Sequence, residues 1–171
     1  TWTNLRDINT LLEYSGNCKD TDVRNRYDAL ARFFRVYFYF EKIKRFGDVP
    51  WYSKPIGSAD PELKRPRDSR EYVMQRMIED IDFAILYLPT KHDLYRITKW
   101  TALALKSRFC LFEGTFRKYH GIDTEENDWK YYLDLAAKAS EEFITNSGYG
   151  LYTTGGTQTA YRDLFVSEDA Q

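Results

Sequence analysis

The residue types able to do chemistry are few and scattered along these 171 residues. The two histidines, His92 and His120, have no Cys, Asp or second His at metal-ligand spacing, so each reads as a solvated loop residue. Glu79, Asp80 and Asp82 would be the natural candidates for general acid–base work. No partner acid can be assigned across a cleft, and a carboxylate run on a helix reads as a solvated face. Glu125, Glu126 and Asp128 read as a polar loop running into a helix N-terminus, where negative charge suits the dipole. Lys64, Arg65, Arg67 and Arg70 could hold an anion, but read more simply as charges keeping a surface loop soluble. Gly148, Gly150, Gly155 and Gly156 follow a helix instead of joining strand to helix, and no Gly-Lys-Ser/Thr follows them. That is the wrong setting for a phosphate cradle. The expectation is no catalytic residue, no metal ligand and no cofactor.

Binding chemistry remains, and here the composition is skewed. Aromatic residues make up 17% of the chain, with 14 Tyr among them. A pyranose offers axial C–H groups to flat apolar rings and hydroxyls to flanking polar groups, so Trp and Tyr outside helix interiors are the residues of interest. Trp2, Trp51 and Tyr52 fit that description and are the candidate ligand-binding residues. For Trp51 a competing reading is that it packs beneath the Gly47-Asp48-Val49-Pro50 turn, and Trp2 has a packing alternative as well. Trp100 and Trp129, at helix starts, read as core or interface.

The charge balance excludes other partners. Lys+Arg 25 against Asp+Glu 26 argues against a partner held mainly through phosphates, so neither nucleic acid nor an anionic lipid surface is expected. The chain opens at Thr1-Trp2 without initiator Met, basic region or apolar run, which places any targeting segment outside it. Cys18 and Cys110 lie far apart, and Cys110 falls in an apolar helical run where a thiol behaves as a small hydrophobe.

Five helical patterns must position these residues, and no strand pattern competes with them. Leu5, Ile8, Leu11 and Leu12 mark a short first helix ending near Gly16. Thr21 or Asp22 would cap a long second helix running to Phe46, stopped by Gly47 and Pro50. Seven aromatics crowd it from Ala29 onward, with Asp28, Arg32, Arg35, Lys42 and Arg45 on a narrow polar strip and Glu41 four residues before Arg45. Residues 51–67, with Pro55, Gly57, Pro61 and Pro66, read as a long loop. Asp68 and Glu71 suggest a capping box for a third helix with Met74, Met77, Ile81 and Ala84 inward, ending at Pro89. Thr98 would cap a fourth carrying Ala102, Leu105 and Phe109, where Ala102 and Ala104 leave room for a neighbour. Trp129 to Ile144 forms the fifth. Residues 149–171 read as an irregular tail, with Tyr161, Leu164 and Phe165 tucking back. The fold expected is all-α, one region over 1–171 built from helix pairs resembling a tetratricopeptide solenoid.

Certain runs carry a family resemblance by their order. They are Ala31-Arg32-Phe33-Phe34-Arg35-Val36-Tyr37-Phe38-Tyr39-Phe40, Arg45-Phe46-Gly47-Asp48-Val49-Pro50, Arg67-Asp68-Ser69-Arg70-Glu71-Tyr72-Val73, Ile78-Glu79-Asp80-Ile81-Asp82 with Leu88-Pro89, and Thr98-Lys99-Trp100-Thr101-Ala102-Leu103-Ala104-Leu105. Tyr149-Gly150-Leu151-Tyr152 and Asp163-Leu164-Phe165 continue the series. The pattern resembles the SusD/RagB family across nearly the whole chain.

That resemblance implies a surface-exposed, lipid-anchored protein of the Bacteroidetes outer membrane. Such a protein captures an oligosaccharide or polysaccharide and passes it to a SusC-like TonB-dependent transporter, without being an enzyme. It further implies that this chain is an internal piece of a longer protein, whose lipidated cysteine lies outside it. Cys18 is no substitute, since no apolar run precedes it. The alternative is a helical-repeat scaffold that binds protein and no ligand of its own.

Overall fold

The computed structural model describes residues 2–91, 95–122 and 127–166. The described residues form an all-α fold whose only β feature is an isolated antiparallel bridge between Val49 and Asp68. Helix α1 spans Trp2–Tyr14 and is followed by a 3₁₀ turn over Ser15–Asn17. Helix α2 spans Thr21–Phe46, α3 Arg70–Tyr87, α4 Lys99–His120, α5 Trp129–Asn146 and α6 Gly156–Val166. From α1 to α5 each helix packs on the next, and α2 also reaches α4.

Local chemistry explains most boundaries. Asp20, not Thr21 or Asp22, caps α2, accepting the N–H groups of Asp22 and Val23 at 3.0 and 3.1 Å. The helix stops at Gly47, whose φ of +67° an L side chain would resist. Ser69, not Asp68, caps α3 by accepting from Tyr72 N–H, and Asp68 is thereby free to bind the preceding loop. Thr98 opens α4 with a reciprocal Thr101 contact, as expected, and Asp128 caps α5 through Tyr131 N–H at 2.9 Å.

The core is continuous through five helices, α1 contributing Leu5. Phe33, Val36, Tyr39, Phe40 and Ile43 of α2 meet Val73, Met74, Met77 and Ile81 of α3, with Ala102, Phe109 and Cys110 of α4 and Tyr132 of α5 behind them. Each such large apolar side chain contributes about 1.5–3 kcal/mol on burial. Gly114 of α4 marks the closest approach to α5: a Cβ there would lie 2.7 Å from Leu133 Cδ2 and 3.0 Å from Trp129 O.

Several expectations give way. Residues 149–171 hold a helix, α6, since Gly155 and Gly156 at positive φ turn the chain into an amphipathic run. Its Tyr161, Leu164 and Phe165 are exposed, and only Ala160 is buried. The 51–67 segment contains a 3₁₀ turn, Pro61–Lys64. Ala104 points outward and Gly114 supplies the close contact instead. Glu41 pairs with Lys44, one residue nearer than Arg45.

The second helix is not covered all round. Tyr27, Phe34 and Tyr37 recur at spacings of seven and three, which puts them on one stripe, and that stripe is exposed. Arg35, assigned by spacing to a polar strip, is buried. So is Asp80, read as part of a solvated carboxylate run, because the two neutralise each other across the α2–α3 interface.

Candidate functional site

Trp2, Arg6 and Asn9 recur at spacings of four and three, which brings them to one face of α1. That face looks across at residues 50–63, and between the two lies an open cleft of about 470 Å³. Trp2, Tyr52, Ile56 and Leu63 give it apolar surface, while Thr3 and Ser58 add hydroxyls and Arg6 and Lys54 add charge.

The loop wall is held by a relay of buried polar groups. Asp80 of α3 accepts two hydrogen bonds from Arg35 of α2, at 2.6 Å from Nε and 2.8 Å from Nη2. Arg35 Nη1 donates to Asn9 Oδ1 at 3.1 Å. Asn9 Nδ2 in turn donates to the carbonyls of Tyr52 at 2.8 Å and Lys54 at 3.2 Å. A bidentate guanidinium–carboxylate pair fixes direction as well as distance, so three helices set the position of one loop strand. Tyr39 completes the hold: its hydroxyl donates to Pro50 O at 3.2 Å and accepts from Tyr52 N–H at 2.7 Å. Burial raises the Tyr39 phenol well above its ordinary value, keeping it a donor at neutral pH.

The three sequence-chosen residues part company here. Trp2 is 43% exposed, with its ring edge-on to Phe38 at 5.3 Å and to Tyr52 at 5.8 Å. Tyr52 is half-buried, and its hydroxyl donates to Glu62 O. Burial also raises the Tyr52 phenol, against the opposing pull of Arg65.

Trp51 is only 3% exposed and does not line the cleft. Its ring stacks on Tyr39 at 4.2 Å, with the Arg35 guanidinium 5.2 Å from its centre, and its backbone N–H donates to Asp68 at 2.7 Å. Trp51 is thus buried against Tyr39 of α2 and backs the segment that carries Tyr52. The two neighbours part because the Trp51 ring is stacked on Tyr39 of α2 while Tyr52 lines the cleft.

Asn9, Arg6 and Lys54 were not among the residues chosen from the sequence. The missed signal was α1 itself, where Trp2, Arg6 and Asn9 share a face that includes a polar amide deep among apolar neighbours.

A second polar cluster lies between α3, α4 and α5. Glu113, fully buried, accepts from Arg70 at 2.6 Å and Arg117 at 2.8 Å, while Arg117 also binds Glu71 and the Asn127 carbonyl. Tyr132 and the Asn127 amide donate to Glu71 at 3.1 and 2.8 Å. Two guanidinium groups face two carboxylates, so the pairs balance in charge and clamp α3, α4 and α5 together. Arg70 and Arg65, read from the sequence as solubilising charges, are both committed to carboxylates.

Among the described residues no three His, Cys, Asp or Glu side chains gather as a metal site, and no helix is long and apolar enough to cross a membrane. His120 closes α4, stacked on Phe116 at 4.2 Å. His92, Glu125 and Glu126 lie outside the described residues.

Comparison with known proteins adds a lineage to this geometry. Residues 1–111 match a SusD-like family model described as "Starch-binding associating with outer membrane". A SusD-like protein of Bacteroides ovatus is 28% identical over 137 residues, covering 80% of this chain and 23% of that protein. A crystal structure of a SusD-like protein from Bacteroides fragilis aligns with a TM-score of 0.74 at 27% identity, over 93% of this chain and 28% of that one. A crystal structure with xylogluco-oligosaccharide aligns with a TM-score of 0.73 over 96% of this chain and 30% of the other, and at 23% identity it speaks for the fold alone. The chain spans about a quarter of the length of its curated relative.

Proposed function

The chain belongs to the SusD-like family, and on that premise we propose that it is an internal piece of a longer, non-catalytic protein that captures glycan at the outer surface of the cell. The longer protein is lipid-anchored through a cysteine outside this chain and hands its ligand to a SusC-like TonB-dependent transporter.

The observation that carries this reading is the α1 cleft. Trp2 and Tyr52 offer ring surface at its mouth, beside hydroxyl and charged groups able to pair with sugar hydroxyls. An apolar ring face with a few polar groups around it is the usual make-up of a sugar subsite. In this reading Trp2 and Tyr52 touch ligand, and Trp51 supports Tyr52 from behind.

Isothermal titration of the full-length protein against a polysaccharide panel is the direct test. We expect a glycan to bind, and Trp2→Ala to weaken it about tenfold or more, an effect of the size lost with a buried ring contact. Absence of binding across the panel, or wild-type affinity in the variant, would sink the reading.

One observation favours a second role, as a protein-binding helical scaffold. Leu151, Tyr161 and Phe165 lie exposed at the α6 end, far beyond what a solvated helix needs. Co-purification of the full-length protein with a large membrane barrel, lost on substituting these residues, would support it.

A further inference from the structure

We propose that the α1 cleft selects a sugar carrying a carboxylate, a uronic acid unit, a specialisation that rests on the cleft being the glycan site. The charged side chains lining it are Arg6 and Lys54, and no Asp or Glu lines it. Neither cation's side chain makes an ion pair or hydrogen bond among the described residues.

The carboxylates of the neighbouring loop, Asp60, Glu62 and Asp68, have partners of their own. Asp60 caps the Pro61–Lys64 turn through Glu62 N–H at 2.9 Å, and Glu62 faces Arg65 at 3.6 Å. Asp68 binds Arg65 and Trp51 N–H. Asp7, next to Arg6 in sequence, lines a different groove with Glu41 and Lys42. The other guanidinium groups that shape this molecule, those of Arg35, Arg65, Arg70 and Arg117, each meet a carboxylate. The cleft thus presents two cations and no lining carboxylate, whereas the neighbouring groove lined by Asp7 sets Glu41 beside Lys42 and Arg45.

The geometry suits a uronate. Its carboxylate stands on C5 at the ring edge, so a pyranose stacked by its C–H face on one of the two rings, which stand at 74° to each other, turns that edge toward the other residues lining the cleft. Arg6, one helical turn from Trp2, is placed there, and Lys54 approaches from the loop side. A guanidinium matches a planar carboxylate with two parallel hydrogen bonds, and Lys adds a point charge.

The test is titration of the full-length protein with a galacturonate oligosaccharide, a neutral galactose oligosaccharide and a sulfated galactose oligosaccharide. The galacturonate should bind about tenfold tighter than the neutral sugar at low salt, and its advantage should shrink as salt rises from about 0.05 to about 0.5 M. Arg6→Gln and Lys54→Gln should each weaken galacturonate binding about fivefold. Lys138→Gln, on the exposed side of α5, serves as the charge-loss control and should change nothing. Unchanged thermal midpoints would confirm that the cleft variants fold, as expected for exposed side chains without partners. Equal affinity for neutral and galacturonate sugars, or indifference to both cleft substitutions, overturns the uronate assignment while leaving the glycan site intact. Tighter binding of the sulfated sugar overturns the carboxylate preference. Failure of all three to bind also overturns the uronate assignment, while the glycan reading itself is decided by the polysaccharide panel.

Discussion

Arg35 decides more of this protein than any other single side chain. Its sequence position, between Phe34 and Val36, gives no sign of a partner 45 residues away, and helical spacing alone assigned it to solvent. The structure buries it against Asp80 with side-chain exposures of 7% and 5%. Replacing Asp80 with Ala leaves a guanidinium enclosed without its countercharge, and this should cost about 3–5 kcal/mol in denaturant unfolding. Loss of less than about 1 kcal/mol would show that water reaches the site. The cysteines permit a second check at this scale. Burial pushes the Cys110 thiol up to about 12, whereas Cys18 is half-exposed near the α2 N-terminus. A thiol reagent at pH 8 should therefore label Cys18 in the native chain and reach Cys110 only on unfolding, as read by intact mass. The aromatic candidates were half legible: Trp2 and Tyr52 meet at the cleft, while Trp51 faces inward. Which of two neighbouring rings turns inward is decided by what packs against it, here Tyr39 of α2, and no composition argument contains that partner.

The helices were legible because their signals are local. Apolar periodicity, Gly47 and the Asp, Ser or Thr that opens each of α2 to α5 are short-range facts, and the helices expected from them lie close to those observed. Helix α6 escaped because its 11 residues begin Gly-Thr and carry little periodicity before Tyr161. How closely two helices approach is a different matter, set here by Gly114 under Leu133. Gly114→Ala gains helix propensity of about 1 kcal/mol but forces a methyl against Leu133 and the Trp129 carbonyl. A net loss of about 1–2 kcal/mol is expected by chemical denaturation, and a stabilised variant would mean that α5 yields freely. The tyrosines that join elements give a pH test. Burial raises both Tyr39 and Tyr132 above their ordinary value, so the folded state retains protons that the unfolded chain releases. Their contribution is fully present below the unfolded pKa of about 10 and is lost as pH rises beyond it, so the thermal midpoint should fall steeply above about pH 10. A flat midpoint between about pH 9 and 11 would contradict this.

At the scale of the molecule, the exposed stripe of α2 and the open side of α6 are the outstanding fact. Phe34, Tyr37, Tyr161 and Phe165 are all exposed in a chain that spans about a quarter of its curated relative. Apolar surface of that kind promotes association. The isolated 171-residue chain should self-associate at micromolar concentration, and removing residues 149–171 should reduce that association in sedimentation velocity. A monomer at every concentration would argue that these faces are adequately solvated. The sequence by itself determined the all-α class, the order of the helices and the family, because periodicity, caps and motif order are properties of neighbouring residues. It also put Trp2 and Tyr52 forward. Only the tertiary structure decided that Trp51 is a support, that Arg35 and Asp80 are a buried pair, and that Arg6 and Lys54 stand together unneutralised. Those outcomes depend on which distant groups share one low-dielectric space, and that follows from packing, not from spacing along the chain.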